Sequence, residues 1–290
     1  MYKVAIIGSE NSHAECFAQV IAPRNEESRF PDIDLIGACG DEKANAVIHR
    51  KSTCPILTDD PYAFLGKVDA VMITARHGGR HLEYARPYIE QGVHIWMDKP
   101  ITASVEDARE LVELVHKHNV LLTGGSCLAY ANGIIESKKL VAEKGDEVFG
   151  GHVTAPNVVE EENGGWWFYS QHLIQMITEV FGQHIISVET KKPLHGCGLH
   201  ATYHYPNYDV TAFFGVGYSV TVYGRGSFVS CKEIKLQSDY FMPELTDMAN
   251  MMRLGTAPQT PEEVVYPVLV IDATIRSMNN GGALTEVCSL

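Results

Sequence analysis

Three stretches of this sequence hold side chains of the types needed to grip an anion and move a proton. The first is Gly8-Ser9-Glu10-Asn11-Ser12-His13, set between an apolar run and a helical one. A glycine turn that opens a helix can lay backbone N–H groups against a phosphate. In the form G-x-G-x-x-G the second glycine allows close approach and the third lets strand and helix pack. Here those two places hold Glu10 and His13. Glu10 brings negative charge to where a diphosphate would lie, whereas Asn11 and Ser12 offer compensating donors. A plain strand-to-helix turn capped by Ser12 explains the same six residues equally well. After the next apolar run, Asp41 either meets the ribose hydroxyls of a dinucleotide or caps the helix that follows.

The second stretch is Trp96-Met97-Asp98-Lys99-Pro100. Lys99 falls just past an apolar strand, where an ammonium could polarise a substrate oxygen or stabilise charge left by a departing hydride. On chemistry alone a surface loop lysine is the commoner case. The third stretch centres on His172, which precedes Leu173, Met176, Ile177 and Val180 at helical spacing. That spacing predicts a place in the first turn of a helix, whose positive end favours a neutral imidazole and so a base near pH 7. Packing against helix neighbours is the alternative. Trp166-Trp167-Phe168-Tyr169 lead into it, able to wall a pocket or to fill a core. Arg76-His77-Gly78-Gly79-Arg80-His81 gathers four potential cations around a diglycine, suited to a phosphate or carboxylate or to simple solvation. His195, Cys197, His200 and His204 suggest zinc at first sight. On a strand, however, His200 and His204 sit too far apart to chelate one ion easily, and no metal is expected.

The elements that would position these groups alternate in the first half. Lys3–Ile7, Ile33–Ala38, Val68–Thr74, Val93–Met97 and Val120–Thr123 read as apolar strands, and helical patterns lie over Ala14–Ile21, Asp41–Arg50, His81–Gln91 and Ser104–Asn119. Near-continuous apolar strands alternating with helices mean a parallel sheet covered on both faces. Beyond Gly124-Gly125 the pattern changes to a helix over Gly133–Lys144, a strand over Phe149–Ala155, a helix after Gly164-Gly165, and alternating runs over Tyr208–Phe214 and Tyr218–Tyr223. Gly215-Val216-Gly217 then reads as a tight turn in an antiparallel meander. A last helix covers Pro261–Asn280. The expected fold class is α/β: a doubly wound Rossmann-type domain over residues 1–123, then an α+β domain over 124–290 on an open, mainly antiparallel sheet.

The chain has 290 residues, enough for two cores, and a formal net charge of −13. That acidity argues against nucleic acid and anionic membrane surfaces as partners. Seven cysteines with no C-x-x-C spacing do not form a disulfide framework. Reduced thiols, and no apolar run of the roughly 20 residues a membrane span requires, lead to the expectation of a cytoplasmic protein.

Together, the strand ending in Asp98-Lys99-Pro100, the Gly8 turn after Lys3–Ile7, Val68–Thr74 with His81, and Gly164–His172 resemble the Gfo/Idh/MocA family, the glucose–fructose oxidoreductase and inositol dehydrogenase-like proteins. The resemblance runs over essentially the whole chain. It implies a nicotinamide cofactor, NAD favoured over NADP because no arginine stands beside Asp41. It implies that Lys99 stands beside the nicotinamide and substrate, that His172 is the acid/base group, and that Thr74 and His81 contact the cofactor. The implied cofactor-binding set is Gly8, Ser9, Glu10, Asn11, Ser12, His13, Asp41, Thr74, Arg76, His77, His81, Asp98, Lys99 and Pro100. Family members show D-x-G-x-H where this chain has Phe168, Ser170 and His172, so Tyr169 is assigned part of the missing polar role. The expected activity is hydride transfer between nicotinamide and a hydroxyl carbon of a sugar, cyclitol or similar small polyol, by a homo-oligomer (dimer or tetramer). The alternatives are a catalytically silent sugar- or metabolite-binding sensor or scaffold, and glycoside cleavage without net redox change.

Overall fold

The computed structural model describes residues 1–237 and 239–290. It divides into two compact units, the first made of residues 1–125 and 241–265, the second of 126–240 and 266–290.

In the first unit, β1 (Tyr2–Ile7), α1 (Ser12–Ile21), β2 (Ile33–Cys39), α2 (Glu42–Lys51), β3 (Ile56–Thr58), β4 (Ala70–Ile73), α3 (His81–Glu90), β5 (His94–Asp98), α4 (Val105–His118) and β6 (Leu122–Gly125) follow one another. The strands pair in parallel in the order β3-β2-β1-β4-β5-β6. Strand order therefore reverses between β1 and β4, and ligands of such sheets bind beyond the carboxyl ends at that reversal. Val4 through Ile7 and Ala70 through Ile73 are fully buried, as strands covered on both faces must be. Ser104 caps α4 by accepting from the Asp107 amide at 3.1 Å, as its place before the apolar stripe predicts.

The chain returns to this unit with α7 (Met242–Leu254), a helix the sequence reading did not contain, and with the first turn of α8 (Pro261–Asn279). Its punctuation is nevertheless present: Pro243 lies in the first turn, and Gly255 closes the helix at φ +67°. A division at 123–124 leaves residues 241–265 in the second domain, whereas α7 packs on β6 of the first.

The second unit holds α5 (Asn132–Lys144), β7 (Val148–Ala155), α6 (Trp167–Phe181), β8 (Ser187–Lys191), β9 (Leu199–His204), β10 (Asp209–Phe214), β11 (Ser219–Gly224), β12 (Phe228–Glu233) and β13 (Thr285–Glu286). These strands form one sheet in the order β12-β11-β7-β10-β9-β8-β13, mainly antiparallel. The expected meander is corrected in one respect. β10 and β11 are not neighbours: β7 lies between them, parallel to β10 and antiparallel to β11. The 215–217 segment therefore crosses over an inserted strand. Alternating polarity shows which face a residue takes but not which strand lies beside it. Val153, Val210, Ala212, Val220 and Val222 line the buried face, beneath Leu173, Ile174, Ile177 and Phe181 of α6.

Candidate active site

The turn after β1 folds onto the end of β4. Gly8 has φ +94°, and a Cβ there would lie 2.3 Å from the Ala75 amide nitrogen, so glycine is required twice over. The cap of α1 is Asn11, not Ser12: the Asn11 side chain accepts from the His13 amide at 3.1 Å. Helix geometry leaves the amides ahead of His13 outside the helical ladder, as donors to an anion.

His13, in the place of the third fingerprint glycine, points inward and ties the turn to β5. Its Nδ1–H donates to Asp98 at 3.0 Å, Asn11 Nδ2 donates to the same carboxylate at 2.7 Å, and the Lys99 amide donates at 2.8 Å. Burial alone pushes the Asp98 carboxyl up, but His13, Lys99 and these donors outweigh it and hold it below the ordinary carboxylate value. Asn11, His13 and Asp98 thus form an internal brace instead of presenting their polar groups to a ligand. The brace fixes the carboxyl end of β5, where Lys99 is only 4% exposed. Pro100 follows through a cis bond, and Gly78 passes so close that a Cβ would lie 2.5 Å from Pro100 Cγ.

Thr74 and His81 are both fully buried. The Thr74 hydroxyl donates to the Gly8 carbonyl at 2.8 Å. His81 lies between two backbone carbonyls, Nε2 at 2.7 Å from Ala75 and Nδ1 at 3.2 Å from Ile101. Burial keeps its pKa below the usual histidine value despite both carbonyls, so the neutral ring donates through Nε2, the shorter contact. These two residues shape the turn and the Lys99 loop from within.

Two adjoining cavities open at the strand ends, within the 300–1,000 Å³ range of small-ligand pockets. One, of about 320 Å³, is lined by Gly8, Glu10, Gly40, Asp41, Asp59 and Arg80 among others. The other, of about 380 Å³, adds Ser9, Asn11, Ser12, Lys43 and Arg76. Asp41 caps α2, accepting from the Ala44 amide at 2.7 Å, yet also lines both cavities. Glu10 accepts from the Arg76 amide at 3.4 Å. The Ser9 hydroxyl is taken up by Asn45 at 3.1 Å, and His77 caps its own loop by accepting from the Gly79 amide. Of the residues expected at the cofactor, Gly8, Ser9, Glu10, Asn11, Ser12, Asp41 and Arg76 meet at the cavities. Asn45 and Asp59 were not foreseen, since no short motif marks them.

In the second unit α6 begins at Trp167, which puts His172 in its second turn and corrects the expectation of a first-turn position. The helix dipole fades within one turn, so its environment depends more on a direct partner. Ser126 Oγ lies 2.6 Å from His172 Nδ1 and accepts from the Leu128 amide. Gln175 anchors Ser126 by accepting from its amide at 2.8 Å and takes a second bond from Gln171. The Tyr169 ring meets His172 edge-on at 4.6 Å, and the Tyr218 hydroxyl donates to that of Tyr169 at 3.2 Å. Burial, then the Tyr169 bond, push the Tyr218 hydroxyl well above its usual value. Trp166 packs on Phe214 and Phe168 is 5% exposed, so these two serve the core. The His200 ring lies tilted against Phe213 at 4.6 Å, and His204 pairs with Asp209 at 2.7 Å. Ser126 and Tyr218 were missed because they lie 46 residues from His172 on either side in sequence (172−126 and 218−172).

The first unit is a doubly wound nucleotide-type sheet with a strand-end lysine, and the second holds a serine-anchored histidine. Residues 2–126 match the Gfo/Idh/MocA family, described as an oxidoreductase family with an NAD-binding Rossmann fold. The family resemblance read from the sequence is met by this match over residues 2–126. The chain is 25% identical over 171 residues to an NADP(+)-dependent scyllo-inositol 2-dehydrogenase of Bacillus subtilis, a match covering 58% of this chain and 42% of that one. The matches to curated relatives span less than half of those relatives' lengths. Among solved structures, GenD2 from gentamicin A biosynthesis, in complex with NAD, superposes with a TM-score of 0.83 at 16% identity, covering 99% of this chain and 97% of that one. A myo-inositol dehydrogenase from Lactobacillus casei, in complex with NAD(H) and myo-inositol, gives 0.81 at 13% identity, covering 100% and 98%.

Proposed function

We propose that this protein transfers hydride between NAD and a hydroxyl carbon of a small polyhydroxylated substrate, a sugar or cyclitol. The observation that carries the proposal is the braced Lys99 past the carboxyl end of β5, in a sheet whose sequence matches an NAD-binding family. A nicotinamide supplies the hydride acceptor and donor. The residues fit its diphosphate and ribose in part: the head of α1 offers amides, Gly8 permits close approach, and the second Asp41 oxygen can accept from a ribose hydroxyl. Asp41, Asp59 and Glu10 outnumber the one cation, Arg80, among the residues lining one cavity and disfavour a 2′-phosphate, which supports NAD over NADP. His172, with Nδ1–H donating to Ser126, keeps the Nε2 lone pair to take the hydroxyl proton. Lys99 stabilises negative charge that develops on a substrate oxygen. We further assign the protein to the cytoplasm, as a homo-oligomer built on the open sheet face that exposes Phe149 and Val229.

One observation favours the second reading, ligand binding without turnover. Phe168, where the family resemblance implies Asp, is buried, so α6 offers no carboxylate at the position one turn before His172. The variants Lys99→Ala and His172→Ala separate the two. Each abolishes NADH formation on a verified polyol while circular dichroism stays unchanged. Near wild-type rates in either variant would refute the assignment.

A further inference from the structure

Asparagine is a poor residue for the body of a helix, because its amide competes with the backbone, yet Asn45 is the fourth residue of α2. Its side chain is engaged by three strand ends instead. Nδ2 donates to the Gly40 carbonyl at 2.7 Å and to the Thr58 carbonyl at 2.9 Å, and Oδ1 accepts from the Ser9 hydroxyl at 3.1 Å. The Gly40 amide donates to the same Thr58 carbonyl at 3.0 Å. One amide therefore joins the turn after β1, the chain leaving β2 and the end of β3. Gly40 must lack a side chain for this, since a Cβ there would lie 2.0 Å from Ser9 Oγ.

These contacts fix which way the amide faces. Gly40 and Thr58 both present carbonyl oxygens, which only accept, so the NH2 must face them and the amide oxygen must face Ser9. That oxygen carries no proton, so the Ser9 hydroxyl directs its only hydrogen at Asn45. Lone-pair capacity is what remains on Ser9 Oγ: it can accept from a ligand and has no proton to offer one. The Ser9 amide is also taken, by the Cys39 carbonyl at 2.8 Å. Ser9 and Asp41 line the same cavity of about 380 Å³, in which Glu10, Glu15 and Asp41 nearly balance Lys43 and Arg76. Charge therefore discriminates weakly in this cavity, and hydrogen-bond polarity decides. A ribose hydroxyl brings a proton to the Ser9 and Asp41 oxygens, whereas a phosphate ester brings only further lone pairs.

We propose that Asn45 is a positioning residue for cofactor choice: by taking the Ser9 proton, it makes this cavity a receiver for a ribose hydroxyl and a poor one for a phosphate carried in its place. The inference rests on the dinucleotide reading given above and adds to it a named determinant. Without Asn45 the Ser9 hydroxyl is again a donor, and a phosphate oxygen becomes an acceptable partner. A merely structural Asn45 would behave otherwise, since its loss would loosen the strand ends and weaken both dinucleotides alike.

The test measures binding, not turnover, on the full-length protein. NADH and NADPH are titrated separately into wild type, Ser9→Ala, Asn45→Ala and the double variant, nicotinamide fluorescence giving each Kd. The quantity read is the Kd for NADPH divided by the Kd for NADH. In Ser9→Ala, NADH binds about fivefold more weakly, the size of one hydrogen bond, while NADPH stays within twofold. Asn45→Ala lowers the ratio by at least the same factor, and adding it to Ser9→Ala lowers the ratio no further. Asn45→Asp, which keeps an oxygen for Ser9 to donate to, leaves the ratio at or above its wild-type value. Ser9→Ala deletes one oxygen and keeps the backbone bond to Cys39, so it decides the matter if Asn45→Ala does not fold. A ratio within twofold of wild type in Ser9→Ala or in folded Asn45→Ala overturns the proposal, as does a wild-type protein that prefers NADPH. Saturable NADH binding with an unmoved ratio refutes this assignment alone, whereas binding of neither dinucleotide refutes the cofactor reading and this one with it.

Discussion

Replacing Asp98 with Asn removes one charge and changes almost no volume, yet it strikes the brace that joins the Gly8 turn to the Lys99 loop. Three donors converge on the carboxylate: Asn11 Nδ2 at 2.7 Å, His13 Nδ1 at 3.0 Å and the Lys99 amide at 2.8 Å. An amide in its place must turn its own NH2 toward one of them. Asn11 cannot flip to accept, because its Oδ1 already takes the His13 amide. The loss is that of a buried ionic partner, about 3–5 kcal/mol, which for a unit of this size lowers Tm by roughly 6–20 °C. Because the folded Asp98 pKa lies below the unfolded one, its contribution is fully present above the unfolded value and is lost as pH falls through the folded value. The gap between wild type and Asp98→Asn is therefore greatest near pH 7 and closes below about pH 4, the ordinary carboxylate range. Differential scanning calorimetry at pH 7, 5 and 3.5 measures it. A change under about 3 °C at pH 7, on the same conversion, or a gap independent of pH, would refute the brace.

Gly8→Ala forces φ +94° on a residue with a Cβ and drives it against Ala75; it costs about 2–5 kcal/mol by urea unfolding and abolishes NADH binding. Ser126→Ala removes the partner of His172 Nδ1 and lowers kcat about tenfold with KM little changed, less than the roughly 10²–10⁴-fold that loss of the base itself costs. A raised KM with kcat unchanged would show that Ser126 acts on substrate binding instead. Buried and neutral, His81 has a folded pKa below its unfolded value, so stability is lost as pH falls below about 6.5. Urea midpoints at pH 7.5 and 5.5 should therefore differ less in His81→Gln than in wild type.

The doubly wound sheet was legible because buried parallel strands are written as continuous apolar runs, and Lys99 because a strand-end lysine before proline stands out. His13 was legible as an oddity but not as a brace: a histidine where glycine belongs suggests a damaged turn, and only its reach to Asp98, 85 residues away, gives it a purpose. Thr74 and His81 read as cofactor contacts because motif spacing carries position without direction, and both turn inward. The same limit hid β7 between β10 and β11, since pairing partners are chosen by packing across the sheet.

The central claim, that the Gly8 turn and Asp41 hold a nicotinamide dinucleotide, is tested most directly by titrating the purified protein with NADH and NADPH and following nicotinamide fluorescence. Saturable micromolar binding of NADH, weaker for NADPH and lost in Gly8→Ala, is the expected result. Binding of neither dinucleotide would contradict the account and leave a Rossmann-shaped protein that serves another ligand.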